Sequence, residues 1–248
     1  MSSRANENAR VVVLCDPHDV PALWAARGLQ QRGIEVDLIA SSMLADALVW
    51  EHRVGAEVSV NVTLADGRTL SSSAPVGVLN RLQFVPTSRL DAVGGPDRDY
   101  AVQEMQALFL SFLEALCATV VNRPSPQGLG GAWMHVSQWA ALAGQAGLPF
   151  APYRQSSANP VDGVVPAAVD VTAFVVGARV LVPPFMERAI DGFTGKAKEL
   201  ARLAGQSLLG IELARARSGT WQLVSASATP DLSLGGDPRI DALEEMLV

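Results

Sequence analysis

Basic residues are scarce in this sequence. Of its 248 residues only Lys196 and Lys198 are lysines, and the arginines are spread thinly along the chain. The formal net charge is -6. Because binding to nucleic acid needs a concentrated face of lysine and arginine to neutralise phosphates, this composition argues against DNA or RNA as a partner.

Cysteine and long apolar runs are scarce as well. Cys15 and Cys117 are the only cysteines, and neither has neighbours at the spacing of metal ligands, so the sequence predicts no zinc site and no disulfide framework. No apolar run approaches the length of a membrane span, and the segment from Met1 to Arg10 is polar. We therefore expect a cytoplasmic protein in a reducing compartment, without a membrane partner.

What the chain has is apolar sequence arranged for an α/β fold. Hydrophobic residues make up 49% of the chain, which is enough for a large core. A short β-branched run at Val11–Cys15 predicts a buried strand. Apolar residues recur at helical spacing in Val20–Gln31, which predicts a helix that Asp19 caps and Gly33 ends. Ile34–Ala40 predicts a second strand. A strand, a helix and a strand in this order indicate a parallel pair.

The rest of the chain predicts further helices and strands. Helices are expected at 43–52, 99–117, 136–145, 191–203 and 241–248. Strands are expected at 57–64 with a hairpin through Asp66-Gly67, at 76–82, 119–121 and 171–182 with a turn at Gly177-Ala178, and at 209–215 paired with 221–225. Residues 155–166 are rich in Ser, Pro and Gly and predict a loop. The apolar stripe from Ala101 to Leu116 fits the core, or a subunit contact if it is exposed.

A cluster of polar residues follows the first strand. Asp16 and His18 come where the strand ends, with Asp19 next, and this is the edge of an open α/β sheet at which ligands bind. His18 could then act as an acid or base beside a carboxylate. The alternative is a turn in which Asp19 caps the following helix, and we favour that structural role.

Two Asn-Arg pairs occur at corresponding places. Asn80-Arg81 and Asn122-Arg123 both follow expected strands, and an arginine there could bind a carboxylate or phosphate through two hydrogen bonds. Asn and Arg also bond the carbonyl groups exposed where strands end, so both readings stay open. All four residues are ligand-binding candidates.

Other motifs favour structural roles. Gly128–Gly131 could offer amides to an anion, but it lacks the Lys-Ser/Thr of a P-loop, which favours a flexible connection. His52, expected on a helix near Trp50, and His135, near Trp133, are isolated histidines for which packing or surface exposure is the better interpretation.

Three phrases of the sequence resemble the ATP-grasp superfamily of carboxylate ligases, in particular its RimK-like branch. They are Val121–Pro124 followed by Ala146–Pro152, similar to the family's "AGLPvP" passage; Asp170–Val180, similar to its "DvRvfVvGgkv" hairpin; and Leu203–Leu213 with Trp221–Pro230, similar to its "LG…GvD" and "EvNxxP" strands. The resemblance implies an α/β fold in which a parallel-sheet, pre-ATP-grasp-like subdomain at 1–124 precedes a truncated ATP-grasp-like α+β subdomain at 125–248. It also makes Arg179 a ligand-binding candidate.

The resemblance also implies a cofactor site that this chain fills incompletely. Family members hold ATP and magnesium between lids, with lysines on the first lid and acidic or amide ligands on the closing strands. Here Tyr153–Val169 stands in place of that lid and contains no lysine. Ser225 and Ser227 occupy the positions of the metal-binding Glu and Asn, so Glu212 is the one remaining candidate metal ligand.

Two functional hypotheses follow. The first is a non-catalytic ATP-grasp-fold protein that serves a biosynthetic or peptide-modifying enzyme as an accessory or binding subunit. Its expected partners are another protein or a second copy of itself, with a peptide or small metabolite as a further ligand, and it needs no cofactor. The second is an enzyme: an ATP- and magnesium-dependent carboxylate–amine ligase whose nucleotide site is unorthodox or completed by a partner, or a non-ligase that uses His18.

Overall fold

The computed structural model describes residues 10–72, 76–90, 93–116, 119–153, 168–234 and 236–248. These residues form two compact units, one within 1–131 together with 235–248 (unit 1) and one within 132–234 (unit 2). The expected loop at 155–166 and Cys117 lie outside the described residues. Of the helices in these described ranges, none combines the length and apolar character needed to cross a lipid bilayer.

The described residues of unit 1 form seven strands and four α-helices. In chain order they are β1 (Arg10–Cys15), α1 (Val20–Gln31), β2 (Glu35–Ala40), α2 (Ser41–Ala45), β3 (Val49–Val54), β4 (Val58–Thr63), β5 (Thr69–Ser71), β6 (Val76–Arg81), α3 (Gly95–Leu116), β7 (Thr119–Val121) and, after unit 2, α7 (Pro238–Leu247). The strand order β2-β1-β6-β7 makes a parallel sheet, and β3-β4-β5 make an antiparallel one. The expected parallel β–α–β start is confirmed.

Unit 2 consists of one antiparallel sheet and its helices. Its elements are α4 (Val136–Gln145), β8 (Val171–Val176), β9 (Arg179–Leu181), α5 (Met186–Ala189), α6 (Phe193–Leu203), β10 (Leu208–Arg215) and β11 (Trp221–Ser227). The strand order is β11-β10-β8-β9, and α4 begins and ends where the sequence predicts. The α/β class with a parallel sheet in one unit and an α+β arrangement in the other is therefore present.

One predicted helix is wrong. Residues 43–52 were expected to be helical, but the chain forms only the short helix α2 and then the strand β3, which carries His52. The reason is long-range pairing: β3 bonds along its length to β4. In this strand Trp50 packs on Phe109 and Phe112 of α3, with ring centroids 5.4 and 4.9 Å apart. Packing across the sheet therefore overrides the helical spacing of the segment.

The last helix belongs to unit 1, whereas the sequence assigned it to a second subdomain that begins at residue 125. Two glycines allow it to lie close to the parallel-sheet layer. A Cβ atom on Gly28 of α1 would overlap the side chain of Ile240, and one on Gly77 of β6 would overlap the backbone carbonyl of Leu247. Because neither glycine has a side chain, α7 can cover α1 and β6 directly.

Candidate functional site

The carboxyl end of the parallel sheet in unit 1 gathers several of the predicted site residues. The register places Cys15 of β1 opposite Arg81 of β6, and Leu79 of β6 opposite Val121 of β7. Parallel strands end at a common edge, so Asp16, which follows β1, and Asn122, which follows β7, reach the same edge as Arg81. The prediction that Asn80-Arg81 and Asn122-Arg123 lie at corresponding sheet ends is confirmed.

Arg81 and Asp19 form a buried ion pair at this edge. The Nε and Nη2 atoms of Arg81 donate to the two carboxylate oxygens of Asp19 at 2.8 and 3.2 Å. The two side chains are 3% and 9% exposed. Asp19 also accepts the backbone N–H of Ala22 and so caps α1, as the structural interpretation of the sequence proposes. The pair fixes the loop after β1 to the end of β6.

Asn80 uses its amide to hold backbone carbonyls. Its Nδ2 atom donates to the carbonyl oxygens of Asn122 and Leu129 at 3.0 and 2.7 Å, and its Oδ1 atom accepts the N–H of Leu82. Both Asn80 and Asn122 are buried. Arg123 is exposed and pairs with Glu114 of α3 at 2.9 Å. Of the four Asn-Arg residues, only Arg123 therefore faces solvent.

Asp16 and His18 lie on the turn itself. A carboxylate oxygen of Asp16 accepts the N–H of Gln83 at 3.0 Å. Burial raises the pKa of Asp16, while hydrogen bonds from Gln83 and from the side chain of Ser41 lower it in part. His18 is exposed and adopts a φ of 69°, in the left-handed region. Ser41 is not among the residues predicted from the sequence, although it directly follows β2 and hence reaches the same sheet edge.

The thiol of Cys15 is an internal probe of this edge. Burial, together with the nearby carboxylates of Asp19 and Asp16, raises its pKa to about 11, although the guanidinium of Arg81 acts in the opposite direction. Only the thiolate reacts, so in a Cys117→Ser variant we expect Cys15 of the native protein to react with Ellman's reagent at pH 8 at least about 100-fold more slowly than in denaturant. Stopped-flow absorbance measures both rates. Equal rates would show that the edge is open to solvent and the thiol unperturbed.

The glycine-rich segment and the other two histidines have structural contacts. Ser125 and Gly128 exchange backbone hydrogen bonds at 2.9 and 3.0 Å, which closes the segment as a turn. His135 accepts the N–H of Ser137 and caps α4, in a capping box with Gln138. His52 lies 3.5 Å from the hydroxyl of Ser111. The amide of Gly128 is thus used within its own turn.

The candidate metal ligand of unit 2 lies on the antiparallel sheet among hydroxyl groups. Glu212 of β10 is directly opposite Thr172 of β8 and Ser225 of β11. Directly opposite residues of antiparallel strands share a face, so these three side chains project from the same side of the sheet. Thr172 was not among the predicted residues, and the register of β8 with β10 is what places it here.

Further along the same strands, Ser227 lies opposite Gly210. A Cβ atom on Gly210 would come within 2.5 Å of Pro230, so the chain after β11 folds closely over this part of the sheet. Within the described ranges, no group of three His, Cys, Asp or Glu residues is arranged to hold a metal ion. Glu212 is the one carboxylate among the three directly opposite residues, since Thr172 and Ser225 carry neutral hydroxyl groups.

Arg179 lies elsewhere on this sheet. It begins β9 and pairs with Val176, whereas Glu212 pairs with Thr172 of the same strand β8. Val176 and Thr172 are four residues apart, which corresponds to about 13 Å along a strand. The structure therefore does not bring Arg179 and Glu212 together.

Comparisons with known proteins give a consistent answer at the level of fold. No protein-family model and no curated protein matches the chain. Among solved structures it is similar to the macrocyclase MdnC of Microcystis aeruginosa, bound to the precursor peptide MdnA, with a TM-score of 0.70 and 12% identity over 97% of this chain and 99% of that chain.

Two further solved structures are similar over nearly their whole length. One is the ATP-grasp ligase PsnB with a precursor variant, magnesium and ADP, at a TM-score of 0.68 and 16% identity over 97% of this chain and 99% of that one. The other is a RiPP-associated ATP-grasp ligase of Chryseobacterium gregarium with ADP and a leader and core peptide, at a TM-score of 0.68 and 8% identity over 96% of both chains. The chain therefore has the fold of the ATP-grasp ligases.

Proposed function

We propose that this protein is a binding subunit for a biosynthetic or peptide-modifying enzyme, and that it has the ATP-grasp fold without ligase activity of its own. The proposal rests on the side chains that lie next to Glu212. Its cross-strand neighbours are Thr172 and Ser225, both neutral. Magnesium at a phosphate-transfer site is held by one or two protein carboxylates together with the phosphates, and the hydroxyl groups beside Glu212 add no negative charge to the single carboxylate.

The distribution of lysines supports the same proposal. Both lysines of the chain, Lys196 and Lys198, are on α6, and none occurs in Tyr153–Val169, the segment that stands in place of the first lid. Catalysis of phosphoryl transfer depends almost entirely on positioned cations that neutralise the transferring group. A chain without lysines in that segment lacks one source of those cations.

A peptide is the ligand class that we propose for the protein, as a partner or as a substrate held for another enzyme. The solved structures of similar fold include complexes with precursor, leader and core peptides. In unit 1, His18 and Arg123 are exposed, and Asp16 is half-buried at the same sheet edge, so these three are the residues proposed to contact a ligand. Arg81, Asp19 and Asn80 hold the loops that carry them.

One observation favours a second candidate function. Glu212 is half-buried on the strand where the ligases have an acidic metal ligand, and a similar structure holds magnesium and ADP. The chain could then be an ATP-dependent carboxylate–amine ligase whose nucleotide site is completed by a partner protein. This reading requires Glu212, whereas the binding-subunit reading does not.

Nucleotide binding separates the two. We expect isothermal titration of the purified chain with magnesium-ATP to give no saturable heat. Micromolar binding by the isolated chain would contradict the proposal. ADP release, measured with candidate partner proteins and precursor peptides present, tests the alternative: loss of that release in Glu212→Gln, but not in the exposed control Glu187→Gln, would establish the ligase reading.

A further inference from the structure

The strand β3 forms one edge of the antiparallel sheet in unit 1. In the described part of the chain it pairs with β4 and no other strand. Natural proteins usually block such an edge with proline, with charged side chains, above all lysine, or with a strand too short to pair. Residues Val49–Val54 contain neither proline nor lysine and extend over six residues. Their charged side chains, Glu51 and Arg53, have opposite signs.

Hydrogen bonds elsewhere in the sheet fix which groups of β3 point away from β4. Val60 of β4 directs its N–H and its carbonyl to Ser72, on the β5 side, at 2.9 and 3.1 Å. Val60 is paired with His52 of β3, and because the backbone groups of Val60 point away from β3, the two residues form a non-hydrogen-bonded pair. The N–H and carbonyl groups of His52 then point away from β4. The carbonyl of Thr63 accepts the N–H of Leu48, on the β3 side, which agrees with this alternation. Trp50, His52 and Val54 therefore direct their N–H and carbonyl groups outward.

We propose that this edge binds the same edge of a second copy of the chain, antiparallel, with a two-fold axis through His52. In that register Trp50 and His52 of one copy face Val54 and His52 of the other, and all of these residues have outward backbone groups. The two edges then supply matching donors and acceptors. The two three-stranded sheets would join into one continuous sheet, an isologous contact of the kind that closes a dimer.

Charge selects this register among the neighbouring ones. With the axis through His52, Glu51 of each copy faces Arg53 of the other, which gives two attractive cross-strand pairs. An axis through Glu51 would place two carboxylates opposite each other, and an axis through Arg53 would place two guanidinium groups opposite each other. If the pairing between the two strands were displaced by one residue, side chains of opposite faces would lie side by side. The apolar face of one copy's sheet would then continue into the polar face of the other copy's sheet.

The two charged residues are available for such an exchange. In the single chain Arg53 donates to Glu51 at 2.6 Å, and their side chains are 74% and 46% exposed. Residues two apart on a strand share a face, and each can reach across to a neighbouring strand instead. The intrachain pair would therefore be replaced by two equivalent pairs between copies, without burying an unpaired charge.

Apolar surface at the ends of β3 fits the same arrangement. Val54 is 72% exposed. Trp50 is held in place by a hydrogen bond from Nε1 to the carbonyl of Leu44 and by its contacts with Phe109 and Phe112. In the proposed register Val54 of one copy lies beside Trp50 of the other, on the face that packs against α3, so its apolar surface is covered.

Sedimentation equilibrium of the full chain tests the proposal. We expect a reversible dimer for the unaltered protein. In Arg53→Glu, Glu51 of each copy would face the new glutamate at position 53 of the other copy, which gives two repulsive pairs. We expect this variant to raise the dimer dissociation constant about tenfold to a hundredfold. The double variant Glu51→Arg/Arg53→Glu restores opposite charges in both pairs and should dimerise like the unaltered chain. A dimer that is indifferent to Arg53→Glu, or a double variant as weak as the single one, would overturn the proposal.

A backbone variant tests the hydrogen bonds themselves. His52→Pro removes an N–H that points away from β4, so it should prevent dimerisation while circular dichroism and the melting temperature show that the fold persists. The matched variant His52→Ala should dimerise. A different outcome would overturn the proposal in favour of a peptide as the occupant of this edge. In that outcome the chain stays monomeric at every concentration, and an added extended peptide protects the amides of Trp50, His52 and Val54 from hydrogen exchange.

Discussion

Replacing Arg81 with alanine is expected to lower the free energy of unfolding by about 3–5 kcal/mol, because it leaves the carboxylate of Asp19 buried without its partner. The two side chains are 3% and 9% exposed and share two hydrogen bonds. Asp19 would still cap α1, but its charge would face a low-dielectric environment without compensation. Urea denaturation followed by circular dichroism measures the change.

A second arginine of unit 1 provides the matched control. Arg89 also bonds an aspartate, Asp46, at 2.7 Å, but these side chains are 66% and 58% exposed. Arg89→Ala should therefore change the free energy of unfolding by less than about 1 kcal/mol. If the two substitutions had equal effects, burial would not be what makes the Arg81 pair important, and its role in holding the loop after β1 would have to be abandoned.

Replacing Gly77 with alanine is expected to cost about 3 kcal/mol or more, because the added Cβ would overlap the carbonyl of Leu247. The obstacle is backbone, which cannot rotate away as a side chain can. The helix α7 must move, and Leu243 and Leu247, both buried, would lose part of their contacts with unit 1. Urea denaturation measures the loss of stability, and trypsin cleavage at Arg239 of α7 measures the displacement.

Gly94, which is also in unit 1, is the matched control. No atom lies within 4 Å of the position that its Cβ would occupy, and its φ does not require glycine. Gly94→Ala should leave stability unchanged or raise it by up to about 1 kcal/mol through the lower entropy of the unfolded chain. Arg239 is 6% exposed in the native protein, so trypsin should cut there slowly in this variant and in the unaltered chain. Fast cleavage in Gly94→Ala, or slow cleavage in Gly77→Ala, would contradict the account of α7.

The sequence predicts those parts of the fold that depend on local signals. Helix α1 has a cap, a helical apolar pattern and a glycine just after its end, and α4 is followed closely by Gly147 and Pro149, so both helices appear where expected. The segment 43–52 lacks such a signal, because β3 depends on pairing with β4 and on contacts of Trp50 with α3. Contacts of this kind cannot be read from spacing within the segment itself.

The candidate sites show the same division. The sequence predicts that Asp16 lies where β1 ends and that Asn80-Arg81 and Asn122-Arg123 lie at corresponding sheet ends, because these positions follow from the strand pattern. That Arg81 pairs with Asp19, 62 residues away, does not follow, because ligand binding and structural bonding are equally compatible with an arginine after a strand.

A bulge explains why Ser225 faces Glu212. Arg215 pairs with Trp221 and Leu213 with Leu223, so regular pairing would place Val224 opposite Glu212. The register shifts by one residue between Glu212 and Leu213, and Ser225 takes that place instead. Counting along the hairpin from its turn would therefore give an apolar neighbour for the one carboxylate of the site. The similarity to the family's closing strands indicated the serine, although it gave no physical reason.

The position of α7 has a consequence for the order of folding. The chain passes through the whole of unit 2 before it reaches the helix that completes unit 1. During synthesis all residues of unit 2 are therefore made before α7, so β6 still lacks the helix that covers Gly77 when unit 2 can already fold. Unit 1 can close only when residues separated by more than the length of unit 2 come together, so its assembly has the higher entropic barrier and should be the slower of the two.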